Sequence, residues 1–145
     1  MAYVFNRAKA RLLSGNLDLG SANLRCLLLK AGYVYDPDDD FVADLVPAST
    51  ELTVAGYARQ VLTGLAVTED DAGDRARAAA AAVDFGALAA GETIDAAVVF
   101  ELVTNDADSN LVAYYDLGSV ATSGANVTVY FGGSNPGDFL RLVDS

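Results

Sequence analysis

Two apolar runs separated by a polar turn constrain this chain more than any other feature. Thr93 to Thr104 sets Ala96, Val98, Phe100 and Leu102 on one side and Ala97, Val99 and Glu101 on the other, the period-two pattern of a strand. Asn105 to Asn110 then supplies turn residues, after which Leu111, Ala113 and Tyr115 alternate with Val112 and Tyr114 up to Asp116. A chain built around such segments must bury strand faces, so the rest is read for further strands.

Leu24 to Lys30 is a strand-length apolar run bounded by turn-forming residues and predicts a buried strand. Glu51 to Val54 and Ala58 to Val67 read as extended segments around Gly56-Tyr57, and Glu69 to Asp74 is a turn that predicts a hairpin. Its second arm, Arg75 to Val83, holds the alanines Ala78 to Ala82, strong helix formers, yet the run is too short for a stable isolated helix. A strand is expected there. Val127 to Phe131 and Phe139 to Leu142 complete the strand set. Helical spacing of Phe5, Ala8, Leu12 and Leu13 predicts one short helix over Tyr3 to Leu13, with Gly15 as its stop, and Phe41 to Val46 allows a single helical turn before Pro47. The expected fold is all-β, a sandwich or partly closed barrel with a short N-terminal helix. One domain over 1–145 is expected, divided into an arm (1–15) and a body (16–145), since 145 residues can bury roughly 70% of the unfolded surface.

The charge is −11 at neutral pH, which repels phosphate and anionic membrane surfaces, so neither nucleic acid nor a membrane is an expected partner. Arg7, Lys9 and Arg11 stand in the first fifteen residues, where there is no acid; a basic arm precedes an acidic body. No run has signal-peptide character or membrane-spanning length. Histidine is absent and Cys26 is the lone cysteine, so Ser-His-Asp and Cys-His catalysis, the usual zinc sites and an intrachain disulfide are all excluded. Cys26 reads as a small buried apolar residue.

Asp36, Asp38 and Asp40 have the alternate spacing that begins a calcium loop, but the sixth and twelfth positions hold Phe41 and Pro47 where Gly and Glu are required. Asp106, Asp108 and Asn110 fail in the same way at Leu111 and Leu117. Both clusters read as solvated turns, with a cation shared across an assembly interface as the alternative. Gly132 to Gly137 lacks the lysine and following helix of a phosphate loop, and Asn126-Val127-Thr128 is a chance glycosylation sequon. No cofactor, metal, small-molecule substrate or enzymatic activity is expected.

The order of features resembles small virion proteins of tailed bacteriophages, including capsid cement or decoration proteins. The resemblance runs from Asn6-Arg7-Ala8-Lys9-Ala10-Arg11-Leu12-Leu13-Ser14-Gly15-Asn16-Leu17-Asp18-Leu19 into Leu24-Arg25-Cys26-Leu27-Leu28-Leu29. It continues through Tyr33 to Phe41, Val54-Ala55-Gly56-Tyr57, Ala97-Val98-Val99-Phe100 and Leu111 to Gly118. Ala78 to Ala82 and Asp84-Phe85-Gly86 depart from the family's pattern. The resemblance implies a jelly-roll-like fold and a place on the outer surface of the virion's capsid, after assembly in the host cytoplasm. The implied partner is the major capsid protein, with a homo-oligomer as the expected state; a tail or neck protein and a soluble small-ligand β-barrel are the alternatives. On this reading the helix supplies assembly contacts, Phe5, Leu12 and Leu13 by apolar contact and Arg7, Lys9 and Arg11 by charge steering. Its competing role is to cap the body's own core, and deleting residues 1–15 is expected to separate the two.

Overall fold

The computed structural model describes residues 2–45, 50–133 and 137–143. In chain order the elements are β1 (Ala2–Val4), α1 (Asn6–Leu13), β2 (Leu24–Lys30), α2 (Val42–Leu45), β3 (Gln60–Val61), β4 (Ala66–Asp70), β5 (Arg75–Ala80), β6 (Val83–Ala87), β7 (Thr93–Glu101), β8 (Asn110–Ala121), β9 (Asn126–Val129) and β10 (Gly137–Val143). Among the described residues all strand pairs are antiparallel and form three sheets, ordered β1-β8-β7-β2-β3, β10-β5-β4 and β6-β9. The protein is mainly β, as the sequence predicts. No sheet closes on itself among the described residues, so the architecture is that of a sandwich or open barrel.

The central strands are continuously apolar over 26–29, 96–100 and 111–115, where both faces of the large sheet are covered. On the rear face Cys26, Leu28, Ala97, Val99, Ala113 and Tyr115 pack into the main core with Ala78, Ala80, Phe139 and Leu140 of the second sheet and Val83, Phe85 and Val129 of the third. The Tyr115 hydroxyl donates to the Phe139 carbonyl and ties the two larger sheets together. On the front face Leu27, Leu29, Ala96, Val98, Phe100 and Leu111 meet a smaller core formed by Phe5, Val42 and Leu45. This doubled burial removes the polar alternation that a one-sided strand would show.

Several sequence expectations change at their edges. Tyr3 and Val4 belong to β1, not to the helix: they pair with Tyr114 and Ala113 of β8, and α1 starts only at Asn6. Gly15 adopts φ 73° directly after the helix, the left-handed conformation that ends helices. The alanine-rich arm is a strand, held between β4 and β10, and pairing on both sides overrides its helix propensity. Val83 opens a separate strand, β6, which the sequence reading missed. The segment expected over Ala58 to Val67 is not continuous but divides into β3 and the start of β4, and β8 runs on to Ala121. Phe131 lies in a 3-10 turn after β9. The turn α2 forms as expected, while Pro47 lies outside the described residues.

Candidate functional site

The six side chains expected to make assembly contacts do not share one surface. Phe5 is fully buried. It stands at the N-cap of α1, where extended backbone (φ −65°, ψ 147°) turns its ring into the front core, 5.2 Å from the Tyr35 ring. Phe5 is therefore a core residue and is corrected from the contact set: a side chain with no exposed surface touches no partner. Leu12 is half-buried against the main core, whereas Leu13 is 91% exposed.

Two of the three basic residues, Arg7 and Arg11, are engaged with the body. Arg7 donates from Nε to Asn110 Oδ1 (2.8 Å), lies 3.8 Å from Asp40 and rests over the Phe41 ring. Arg11 pairs with Glu101, which also accepts from Asn110 Nδ2 (2.9 Å). Among the described residues Lys9 reaches only Asn6 of the same helix, at 3.0 Å. The Arg7 and Arg11 bonds hold α1 to the body, which is the core-capping role. The one large apolar side chain that α1 exposes is Leu13.

The aspartate clusters are turn caps. Asp36 Oδ1 accepts from the Asp38 N–H, and Asp44 Oδ2 accepts from the N–H groups of Asp40 and Phe41. Asp108 accepts from the N–H groups of Asn105 and Thr104, which lower its pKa. Asp106 is lowered by the Arg59 guanidinium, which also binds Glu51 in bidentate fashion at 2.7 and 2.8 Å. Among the described residues no three acidic or cysteine side chains converge on a point that would hold a metal ion. Cys26 is fully buried, and that burial pushes its thiol pKa up.

A different set of residues forms the most distinctive surface. Antiparallel pairing of β1 with β8 brings Tyr3 beside Tyr114, and the connection after β2 folds Tyr33 and Tyr35 against them. Ring centroids lie 5.0 Å apart for Tyr3–Tyr35, 5.3 Å for Tyr35–Tyr114, 5.8 Å for Tyr33–Tyr114 and 6.2 Å for Tyr3–Tyr114. The inner edge of this shelf rests on the front core, while Tyr3 is 42% exposed and the neighbouring Val34 is 84% exposed. Tyr35 donates to the Val4 carbonyl (3.0 Å) and Tyr33 to Asp39 (2.7 Å), which fixes both rings. Burial raises the pKa of Tyr35 and Tyr114, with further upward pushes from Asp36 and Asp38 on the first and from Asp116 and Asp95 on the second.

The sequence reading missed this shelf, although one signal was present. Tyr33-Val34-Tyr35 sends two rings to one side of an extended segment, and Tyr114 faces away from the side shared by Ala113 and Tyr115.

Two of the hollows among the described residues bear on small-ligand binding. One of about 100 Å³ between α1 and the second sheet is lined by Leu12, Leu19, Val67, Ala76 and Leu142. This is below the ~300 Å³ at which ligand pockets begin. The other, about 490 Å³, is a mixed polar and apolar groove between β8 and β10 that includes Asp116, Tyr130 and Asp138. No helix among the described residues is long and apolar enough to cross a membrane. Compared with family models, curated proteins and solved structures, the chain matches none.

Proposed function

We propose that this chain is a non-catalytic structural protein that attaches to a repetitive protein assembly, of the kind that a cement protein forms on a bacteriophage head shell. The observation that carries the reading is the tyrosine shelf. Tyrosine combines a large apolar body with a polar tip and loses little rotamer freedom on binding, and such residues are enriched where proteins meet. Here four rings are held on a sheet packed on both faces, so the contact surface is ordered before a partner arrives. Preorganisation of this kind lowers the cost of association.

Attachment then stabilises the assembly by mass action. A protein that binds only the assembled lattice adds about 2.7 kcal/mol per site when its free concentration is ~100 times Kd, and many sites add together. The test is to mix the purified chain with phage capsids that lack it and to measure co-sedimentation and heat resistance. Saturable binding with a rise in the temperature of shell disruption is expected; no co-sedimentation and unchanged heat resistance overturn the proposal.

A further inference from the structure

The shelf is bordered by acids that have no cationic partner among the described residues. Asp36, Asp38 and Asp39 lie in the connection beside Tyr33 and Tyr35, and Asp95 and Asp116 stand close enough to Tyr114 to act on its hydroxyl. Among the described residues none of these five is ion-paired. Asp36 and Asp116 are exposed, and each spends one oxygen on a local backbone N–H. The result is a patch of π-faces in a negative field, and both features favour a cation.

The rings also decide how a cation approaches. Tyr3, Tyr35 and Tyr114 pack against one another at 5.0 to 6.2 Å, which leaves no room for an ion between them. An ammonium or guanidinium group must come from the open side, carried on a surface that can also cover Tyr3 and Val34. A planar guanidinium stacks on such rings while its N–H groups reach the flanking carboxylates.

Among its described residues a second copy of this chain offers no exposed guanidinium without a carboxylate partner, and its one exposed base without such a partner is Lys9. Seven of the nine bases, Arg7, Arg11, Lys30, Arg59, Arg75, Arg77 and Arg141, are already within 4.0 Å of a carboxylate of their own chain. Lys9 bonds Asn6, and Arg25 has its Nε buried. Two copies meeting at this patch would oppose acid to acid.

From this arrangement we infer that the tyrosine shelf is the docking site for an arginine-bearing surface of a different protein. The inference rests on the structural reading above and names the chemistry of its partner. Hexa-arginine peptide serves as the probe, titrated calorimetrically into the full chain at ~150 mM salt, where distant charges are screened. One saturable site is expected. Tyr3→Ser and the pair Asp95→Asn/Asp116→Asn should each weaken binding about tenfold. The charge-matched pair Asp71→Asn/Asp74→Asn, at the β4–β5 turn of another sheet, should leave it within about twofold. Far-ultraviolet circular dichroism of each variant checks that the fold persists; Tyr3 and Asp116 are exposed, so folding should survive. Equal losses in the shelf and turn variants, or no saturable site, overturn the inference. Co-sedimentation with capsids separates it from the broader reading. Capsid binding that the shelf variants leave intact keeps the structural role and rejects the shelf. Shelf-dependent peptide binding without any capsid binding does the reverse.

Discussion

Phe5 and Leu13 lie on one short segment and have opposite fates, which makes them the sharpest residue-scale test. Phe5→Ala empties a fully buried site and should cost about 3–5 kcal/mol in denaturant unfolding, whereas Leu13→Ser, at a 91% exposed position, should stay within about 0.5 kcal/mol. The helical spacing of both residues was legible in the sequence, but spacing shows which residues share a face and not what that face meets. Glu92 gives a residue-scale pH test. Its carboxylate accepts from Lys30 Nζ (2.5 Å) and from both the N–H and hydroxyl of Thr53, which together hold its pKa at about 2 instead of 4.5. A depressed carboxyl adds stability that is complete above its unfolded pKa, near 4.5, and is lost as pH falls through its folded value, near 2. Glu92→Gln should therefore lower stability at neutral pH, by on the order of 1 kcal/mol for this partly exposed pair, and should flatten the loss of stability between those two pH values. Urea melts of both proteins across that range read the difference.

At the scale of elements, most strands announced themselves and their partners did not. β2, β7 and β8 were legible because their doubly covered stretches, 26–29, 96–100 and 111–115, are continuously apolar. β6 was not: it is short, includes Gly86, and shifts register against β9 between Asp84 and Ala87, so its buried Val83 and Phe85 make only a fragment of a pattern. The shelf was illegible for a related reason. Tyr3 and Tyr114 are joined only by the β1–β8 pairing, and β1 is three residues long, too little sequence to show a period. The connection before β3 illustrates how loops are pinned. Gly56 has φ 91°, and a Cβ there would stand 2.5 Å from the Ala87 carbonyl oxygen, so Gly56→Ala should destabilise by more than about 1 kcal/mol in thermal or urea melts. Arg59 spans that connection and the β7–β8 turn through Glu51 and Asp106. Arg59→Ala leaves two carboxylates facing each other and should cost about 2 kcal/mol, less than a fully buried pair because the site is partly open.

For the molecule as a whole, the N-terminal arm is part of the structure and not an appendage. Removing residues 1–15 takes away β1, Phe5 and the Arg7 and Arg11 anchors together, so the truncated chain should lose its cooperative thermal transition, which circular dichroism would record. The excess of unpaired acids gives a second global expectation. Raising salt from about 10 to about 300 mM screens self-repulsion more than it weakens the intrachain pairs, and the melting temperature should rise. The order of strands in the large sheet also bears on synthesis. β2 lies between β3 and β7, and its main partner is β7, from Thr93 to Glu101. At ~5–20 residues per second, the ribosome takes several seconds to pass from one to the other. Throughout that interval the Leu27-Leu28-Leu29 run stays uncovered in a nascent chain, a ready target for a holding chaperone. The yield of folded protein should therefore respond more to slow codons just before Thr93 than to any placed after Ala121.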